Sequence, residues 1–203
     1  MTARSLRLGI SGGIGSGKST ICQLLARFGA TVIDLDALSR ASTAAGGPAI
    51  GAVRSTFGQE FIDSAGAMDR IRMRDLVFSD KEARARLEAI VHPLIAEEST
   101  RLAENAQKMG VRCIVFDIPL LVESSHWRTR LDRILMVDCT VDTQIQRVQA
   151  RSGLSEVEIH NILRAQSTRG QRLQAADAVI FNDGKNLLEV ERELRVLGPQ
   201  FGL

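Results

Sequence analysis

The stretch GISGGIGSGKST, residues 9–20, constrains this chain more than any other. A short apolar run, residues 6–10, leads into it. After it, Ile21, Leu24, Leu25 and Phe28 recur at the spacing of one helix face. Gly12, Gly17, Lys18 and Ser19 occupy the fixed places of the pattern G-x-x-x-x-G-K-[ST]. The glycines let successive backbone N–H groups turn inward, which makes a nest for phosphate oxygens. The helix starting near Lys18 points its positive end at the same charge. Gly13, Ile14, Gly15, Ser16, Gly17, Lys18, Ser19 and Thr20 are therefore the expected nucleotide-binding residues. Lys18 would reach the β- and γ-phosphates, and the Ser19 hydroxyl would ligate Mg²⁺. A glycine turn of purely structural use is the plain alternative. The strand before and the helix after are the context that the phosphate reading requires.

Four further short runs rich in Ile and Val follow: TVID at 31–34, CIVFD at 113–117, ILMVD at 134–138 and AVIF at 178–181. Continuous apolar runs of this length suit strands buried on both faces of a parallel sheet. With helices between most of them, the expected fold class is α/β. It would be a five-stranded parallel sheet of the P-loop NTPase type, flanked by helices. The segment between Asp36 and Cys113 shows no clear strand. Helices are expected over 71–78, 81–90 and 94–108, with His92-Pro93 opening the last of them. Residues of about 38–108 are read as a helical, substrate-binding insertion over the carboxyl ends of the strands, where ligands of open α/β sheets bind. A second polar segment, about 146–172, carries Arg147, Arg151, Arg164, Arg169 and Arg172 and suits a lid. Both lie within one domain spanning 1–203.

Composition narrows the partners. Against 26 Lys and Arg stand 24 Asp and Glu, a net charge of +2, too balanced to argue for nucleic acid or a membrane surface. No run approaches the roughly 20 apolar residues of a membrane span. Cys22, Cys113 and Cys139 are widely spaced, without metal-ligand spacing, and read as thiols of a reducing compartment. The expectation is a cytoplasmic protein acting on small molecules, monomeric or weakly associating.

The remaining polar residues suggest what is done with the phosphate. There is no N-K-x-D segment of the kind that reads guanine in GTPase switches. A small chain with a helical insertion and an arginine-rich lid fits a kinase for a small metabolite, using ATP and Mg²⁺, because phosphoryl transfer needs positioning, charge neutralisation and exclusion of water. Asp34 and Asp36 close the second strand. Strand alternation would point both the same way, one supporting Mg²⁺ through water and one accepting a proton from the attacking hydroxyl. Asp36, farther along, is the favoured base; the alternative use is capping of the next helix. Asp117 ends an apolar run in the manner of a Walker-B carboxylate that helps hold Mg²⁺. Glu123 divides between site and surface. Arg40 suits a substrate phosphate, and one of Arg70, Arg72 and Arg74 could join it. Arg147 and Arg151, four apart, share a helix face and could close on the transferring phosphates.

The ordered set of segments resembles the dephospho-CoA kinase family. It comprises GISGGIGSGKST, VIDLDALSR, VHPLI at 91–95, DIPLLVES from Asp117, Q-x-x-R-V-x-x-R at 144–151, and AADAVIFNDG at 175–184. The resemblance implies transfer of the ATP γ-phosphoryl group to the 3′-hydroxyl of the dephospho-CoA ribose, giving CoA and ADP. It implies that Asp34 and Asp36 form the D-x-D site, that Arg147 and Arg151 lie in the lid, and that Asn182 lies near the adenine pocket. It makes the insertion the CoA-binding part. His92 and Leu121, from VHPLI and PLLVE, are assigned with Arg40 and Asp36 to the substrate side. Three departures stand out: Ser11 for a frequent Thr, D-L-D for D-A-D, and Phe181 where the family has an acidic residue. The alternatives are another small-metabolite kinase, such as a nucleoside monophosphate kinase, or a nucleotide-binding regulator without turnover.

Overall fold

A computed structural model describes residues 4–203. Strand β1 (Leu6–Gly12) runs through the glycine-rich loop into helix α1 (Lys18–Arg27), and β2 (Thr31–Asp34) runs directly into α2 (Leu35–Ser42). Helices α3 (Ile50–Phe57), α4 (Arg70–Ser79) and α5 (Lys81–Lys108) precede β3 (Cys113–Asp117). The chain continues through α6 (Ser125–Arg128), β4 (Arg133–Asp138), α7 (Val141–Ser152), α8 (Glu156–Ala165) and α9 (Arg169–Gln174). It finishes with β5 (Ala178–Phe181) and α10 (Leu187–Leu197).

The five strands form one sheet in the order β2-β3-β1-β4-β5. β1 lies at its centre, in parallel register with β3 (Leu8 opposite Val115) and with β4 (Ile10 opposite Leu135); β4 pairs β5 in parallel (Asp138 opposite Phe181). This is the expected parallel α/β architecture. The central strands are buried on both faces, as their lack of alternation required: all five residues of β3 are buried, and all of β4 after Arg133. The edge strands differ from that expectation: β2 is only partly buried, and in β5 Val179 and Phe181 are exposed, because an edge strand has a neighbour on one side only. Because β1 is central, the loop that follows it emerges between β3 and β4, where side chains from several elements can converge on it.

The chain divides into two compact units. One runs to Ile33 and resumes at Asn105; the other spans Asp34–Glu104. The first unit packs α1 and α10 on the sheet through Ile21, Leu24, Leu25, Val190 and Leu194, against Leu8, Ile10, Val115, Leu135 and Ile180. The second unit has its own core of Val53, Phe57, Ile62, Met68, Met73 and Val91. There the Phe57 and Phe61 rings meet at 5.9 Å.

Two expectations change. The helices expected at 81–90 and 94–108 are one helix, α5, of 28 residues, and Pro93 sits in its interior rather than at its start. An interior proline removes one backbone donor and costs about 3 kcal/mol. Val91, Leu87, Ile90, Leu94 and Ile95 all engage the core of the second unit, on both sides of Pro93. That packing outweighs the local penalty. The second change concerns Asp34 and Asp36. Only Asp34 belongs to β2; Asp36 is already in the first turn of α2. Strand alternation therefore does not relate them, because the helix begins between them.

Candidate active site

The phosphate loop adopts the backbone its glycines allow. Gly15 and Gly17 have φ of 74° and 91°, in the left-handed region that only glycine enters without strain. Gly17 is the N-cap of α1 and carries no side-chain cap, so the first amides of the helix stay directed at the loop. The close approach of neighbouring elements excludes side chains as well. A Cβ on Gly15 would lie 2.8 Å from the Gln144 carbonyl oxygen, and one on Gly12 would lie 2.6 Å from that of Val137.

Side chains from the later half of the sequence clasp the loop by its carbonyls. Gln144 Nε2, on α7 and buried, donates to Ile14 O at 2.5 Å. Arg147 Nη1, one turn on, donates to Gly15 O at 3.3 Å and Ser16 O at 3.2 Å. Asn182 Nδ2, just past β5, donates to Ser16 O at 2.7 Å. Of the loop's N–H groups, that of Ile14 donates to Gln166 Oε1 at 3.1 Å and that of Ser16 to Gly13 O at 3.1 Å. Ser16 Oγ is buried without a hydrogen-bond partner among the described residues. An unspent hydroxyl inside a phosphate loop is consistent with a site built for a polar ligand.

Lys18 forms an ion pair with Asp117, at the end of β3, and both side chains are largely buried. Cys22 Sγ donates to the other Asp117 oxygen at 3.6 Å. Ser19 is exposed on the first turn of α1. A hard dication takes one or two carboxylates, phosphate oxygens and waters rather than a protein cage. The oxygens of Asp117 and Ser19 fit that pattern. Among the described residues there is no cluster of three or more His, Cys, Asp or Glu able to hold a metal. Thr20 is exposed on the same first turn as Ser19.

The arginines of the segment expected to form a lid separate by environment. Arg147 is half-buried on the loop, while Arg151 is exposed. Arg169 makes a bidentate pair with buried Asp138, Nε to Oδ2 at 2.9 Å and Nη2 to Oδ2 at 2.7 Å. It also lies 5.9 Å over the ring of Phe181. Asp183 accepts from Thr140 N–H at 2.8 Å and from the Thr143 hydroxyl at 2.6 Å. These bonds favour the ionised form and hold its carboxyl down at about 2. Burial pushes the Cys139 thiol, 4.0 Å from Gly15 O, up to about 11, so it stays protonated at neutral pH. Desolvation raises the Glu123 carboxyl, but hydrogen bonds from Ser167, whose N–H donates at 2.7 Å, and the charge of Arg172 together outweigh it, and the net shift is downward.

In the second unit, Asp34 caps α2. Its Oδ1 accepts from Ala37 N–H at 2.8 Å, and its Oδ2 lies 3.5 Å from Arg40 Nη2. Asp36 is exposed in the first helical turn. Arg40 and Arg70 both line an open cavity of about 500 Å³, together with Thr43, Asp63, Met68 and Asp69. Arg72 instead donates to Glu60 O at 2.9 Å, and Arg74 pairs with Asp75. His92 is exposed on α5.

Leu121, expected on the substrate side, is 3% exposed, and its Cδ1 would lie 2.9 Å from a Cβ on Gly9, so its side chain packs against β1. Sequence reasoning passed over Gln144 as a clasp, although Gln144 and Arg147 at i and i+3 on one helix carried the signal. It also passed over Asp138, Gln166 and Asp183, whose roles depend on which strand ends lie side by side.

Comparison with known proteins identifies the family and the fold. The sequence profile of the family described as dephospho-CoA kinase matches residues 6–187. A dephospho-CoA kinase from Albidiferax ferrireducens is 53% identical over 198 residues, which cover 98% of this chain and 93% of that one. A crystal structure of a Thermus thermophilus protein superposes with a TM-score of 0.83 at 35% identity, covering 98% of each chain. The dephospho-CoA kinase structure from Campylobacter jejuni, at 20% identity and a TM-score of 0.69, covers 97% of this chain and 98% of its own, and shares the fold. By sequence along nearly its whole length, this chain belongs to the dephospho-CoA kinase family.

Proposed function

We propose that the chain transfers the γ-phosphoryl group of ATP to the 3′-hydroxyl of the dephospho-CoA ribose, giving CoA and ADP, the last step of coenzyme A biosynthesis. The observation that carries the phosphoryl chemistry is the loop clasped at Ile14 O, Gly15 O and Ser16 O by Gln144, Arg147 and Asn182, with Lys18 beside it on Asp117. Family membership carries the choice of acceptor.

In this reading the amides of residues 13–20 bind the phosphates, and Lys18 leaves Asp117 to meet the charge on the β- and γ-phosphates. Arg147 keeps a fixed positive charge behind the loop, and Arg151 closes on the transferring group. Asn182 orders the loop from the adenine side. Asp36 accepts the proton of the 3′-hydroxyl, while Asp34 holds the turn that presents it. Arg40, with Arg70 across the same cavity, takes an anionic part of the acceptor, and His92 contributes to that side. Ser19 and Asp117 would hold Mg²⁺, which would supply neutralisation of the phosphate charge. The helical insertion of about 38–108 binds the acceptor, and the segment of about 146–172 acts as a lid that excludes water. Among the described residues no helix is long and apolar enough to cross a membrane. We place the protein in the cytoplasm, as a monomer or weak oligomer acting on small molecules and not on nucleic acid.

The test is ADP release by the purified protein with Mg²⁺-ATP, with and without dephospho-CoA, and with AMP and GMP as parallel acceptors. Turnover that depends on dephospho-CoA, with CoA as product, is the expected result. Turnover with AMP or GMP alone would overturn the acceptor.

A further inference from the structure

One side chain meets the phosphate loop differently from the others. Gln144, Arg147 and Asn182 all donate to loop carbonyls. Gln166 accepts: its Oε1 takes the backbone N–H of Ile14 at 3.1 Å. A nest binds anions through its N–H groups. Gln166 therefore occupies a donor that the loop would otherwise offer to a phosphoryl oxygen.

The contact is held from outside. Gln166 is the C-cap of α8. The next residue, Ser167, donates its N–H to Glu123 Oε1 at 2.7 Å. Arg172 Nη1 donates to Ser167 O. Thr168 caps α9 through a capping box with Gln171. The backbone beside Gln166 is thus anchored on both sides, independently of its bond to Ile14. The carboxamide is delivered to the loop by a fixed turn.

Ile14 stands at the strand end of the loop, four residues before Lys18. The opposite end is the N-terminus of α1. A triphosphate chain laid along the loop from α1 brings its terminal phosphoryl group toward Ile14. We propose that Gln166 competes with that terminal phosphoryl group for the Ile14 N–H, and so sets how strongly the loop distinguishes ATP from ADP. The proposal rests on the nucleotide-binding reading given above. A hydrogen bond to an anionic oxygen is roughly twice as strong as a neutral one. The γ-phosphoryl group therefore displaces the carboxamide, whereas ADP leaves Gln166 in place. After transfer, Gln166 returns to Ile14 as the γ-phosphoryl group leaves.

The experiment is calorimetric titration of the full chain with Mg²⁺-ADP and with the Mg²⁺ complex of the non-hydrolysable analogue AMPPNP. Wild type, Gln166→Ala and Gln166→Glu are compared, with thermal melts as the folding control. Gln166→Ala removes the competitor and tightens AMPPNP binding by about fivefold, the net worth of one neutral hydrogen bond, with ADP affinity unchanged. Gln166→Glu is of equal size and puts an anionic acceptor on the same N–H. It weakens AMPPNP binding by about tenfold or more and ADP binding less. In wild type, the Ile14 amide resonance moves with AMPPNP and stays with ADP. ADP and AMPPNP affinities shifting together, weaker AMPPNP binding to Gln166→Ala, or an Ile14 resonance that responds equally to both would overturn the role of Gln166 while leaving nucleotide binding intact. Wild type binding neither nucleotide would overturn the nucleotide reading, and this proposal with it.

Discussion

Asn182 and Ser16 stand 166 residues apart in the chain, and the Asn182 side-chain amide donates to the Ser16 carbonyl at 2.7 Å. Asn182 is itself anchored, its backbone N–H donating to Asp138 O at 2.7 Å. The end of β5 thus ties the end of β4 to the back of the phosphate loop. A donor at this position cannot be replaced by an acceptor. Asn182→Asp turns a carboxylate oxygen toward the Ser16 carbonyl, at a cost of about 1–3 kcal/mol. The melting temperature falls by several degrees, at about 2–4 °C per kcal/mol for a chain of this size. Nucleotide affinity falls with it. An unchanged melting curve and unchanged ATP-analogue affinity would sink the assignment.

Lys18→Met keeps the length and apolar stem of the side chain and removes its charge. Turnover with Mg²⁺-ATP and dephospho-CoA drops at least about a hundredfold, as expected for loss of one preorganised charge at the reacting phosphate. Circular dichroism stays that of wild type. The companion change Asp117→Asn, made in the Lys18→Met background, lowers turnover further, because Asp117 serves Mg²⁺ once Lys18 has left the ion pair seen here; no added loss would remove Asp117 from the metal site.

Asp34 and Asp36 separate cleanly by what each one affects. Asp34→Ala removes the cap that accepts from Ala37 N–H and costs about 1 kcal/mol of stability. Asp36→Asn leaves the cap alone; it lowers kcat by about 10²–10⁴, the usual worth of a positioned base, out of proportion to any change in melting temperature. Equal losses of kcat and stability in both variants would mean that Asp36 is structural.

Gly15→Ala and Gly110→Ala test close approach against backbone conformation. Both glycines have positive φ, 74° and 79°. An added methyl at Gly110 meets nothing within 4 Å, whereas at Gly15 it meets Gln144 O at 2.8 Å and Val148 Cγ2 at 3.1 Å. Each pays about 1–2 kcal/mol for the left-handed backbone. Only Gly15→Ala adds a clash with α7 and loses nucleotide binding. Denaturant melts and ATP-analogue titration of the two variants give the comparison directly.

Asp183 gives a pH signature. Its carboxyl is held at about 2, below its ordinary 3.8, by Thr140 and Thr143. A depressed folded value means that the ionised group stabilises the fold above its unfolded pKa, and that this contribution is lost as pH falls through about 4 toward 2. The gap in melting temperature between wild type and Asp183→Asn is therefore constant from pH 6 to 8 and narrows below about pH 4. A gap that widened on acidification would contradict the assignment.

The sequence alone determined the parallel α/β architecture and the phosphate loop. Both are local in origin. Gly15 and Gly17 are needed where φ is positive, Lys18 and Ser19 start the helix that follows, and β3 is apolar up to Asp117 because both its faces are buried. Asp117 was legible for the same reason, as the polar residue that ends an apolar run. Tertiary structure decided the rest. Asp34 is the helix cap that the sequence offered only as its alternative use, because the chain turns helical at Leu35. Pro93 lies inside α5 because apolar residues on both sides of it bury against one core. Leu121 packs on Gly9, and Gln166 reaches Ile14 across 152 residues. Such contacts depend on which strand ends lie side by side in the order β2-β3-β1-β4-β5. Local spacing carries no record of that order, because it is set by how the apolar faces of distant segments bury one another.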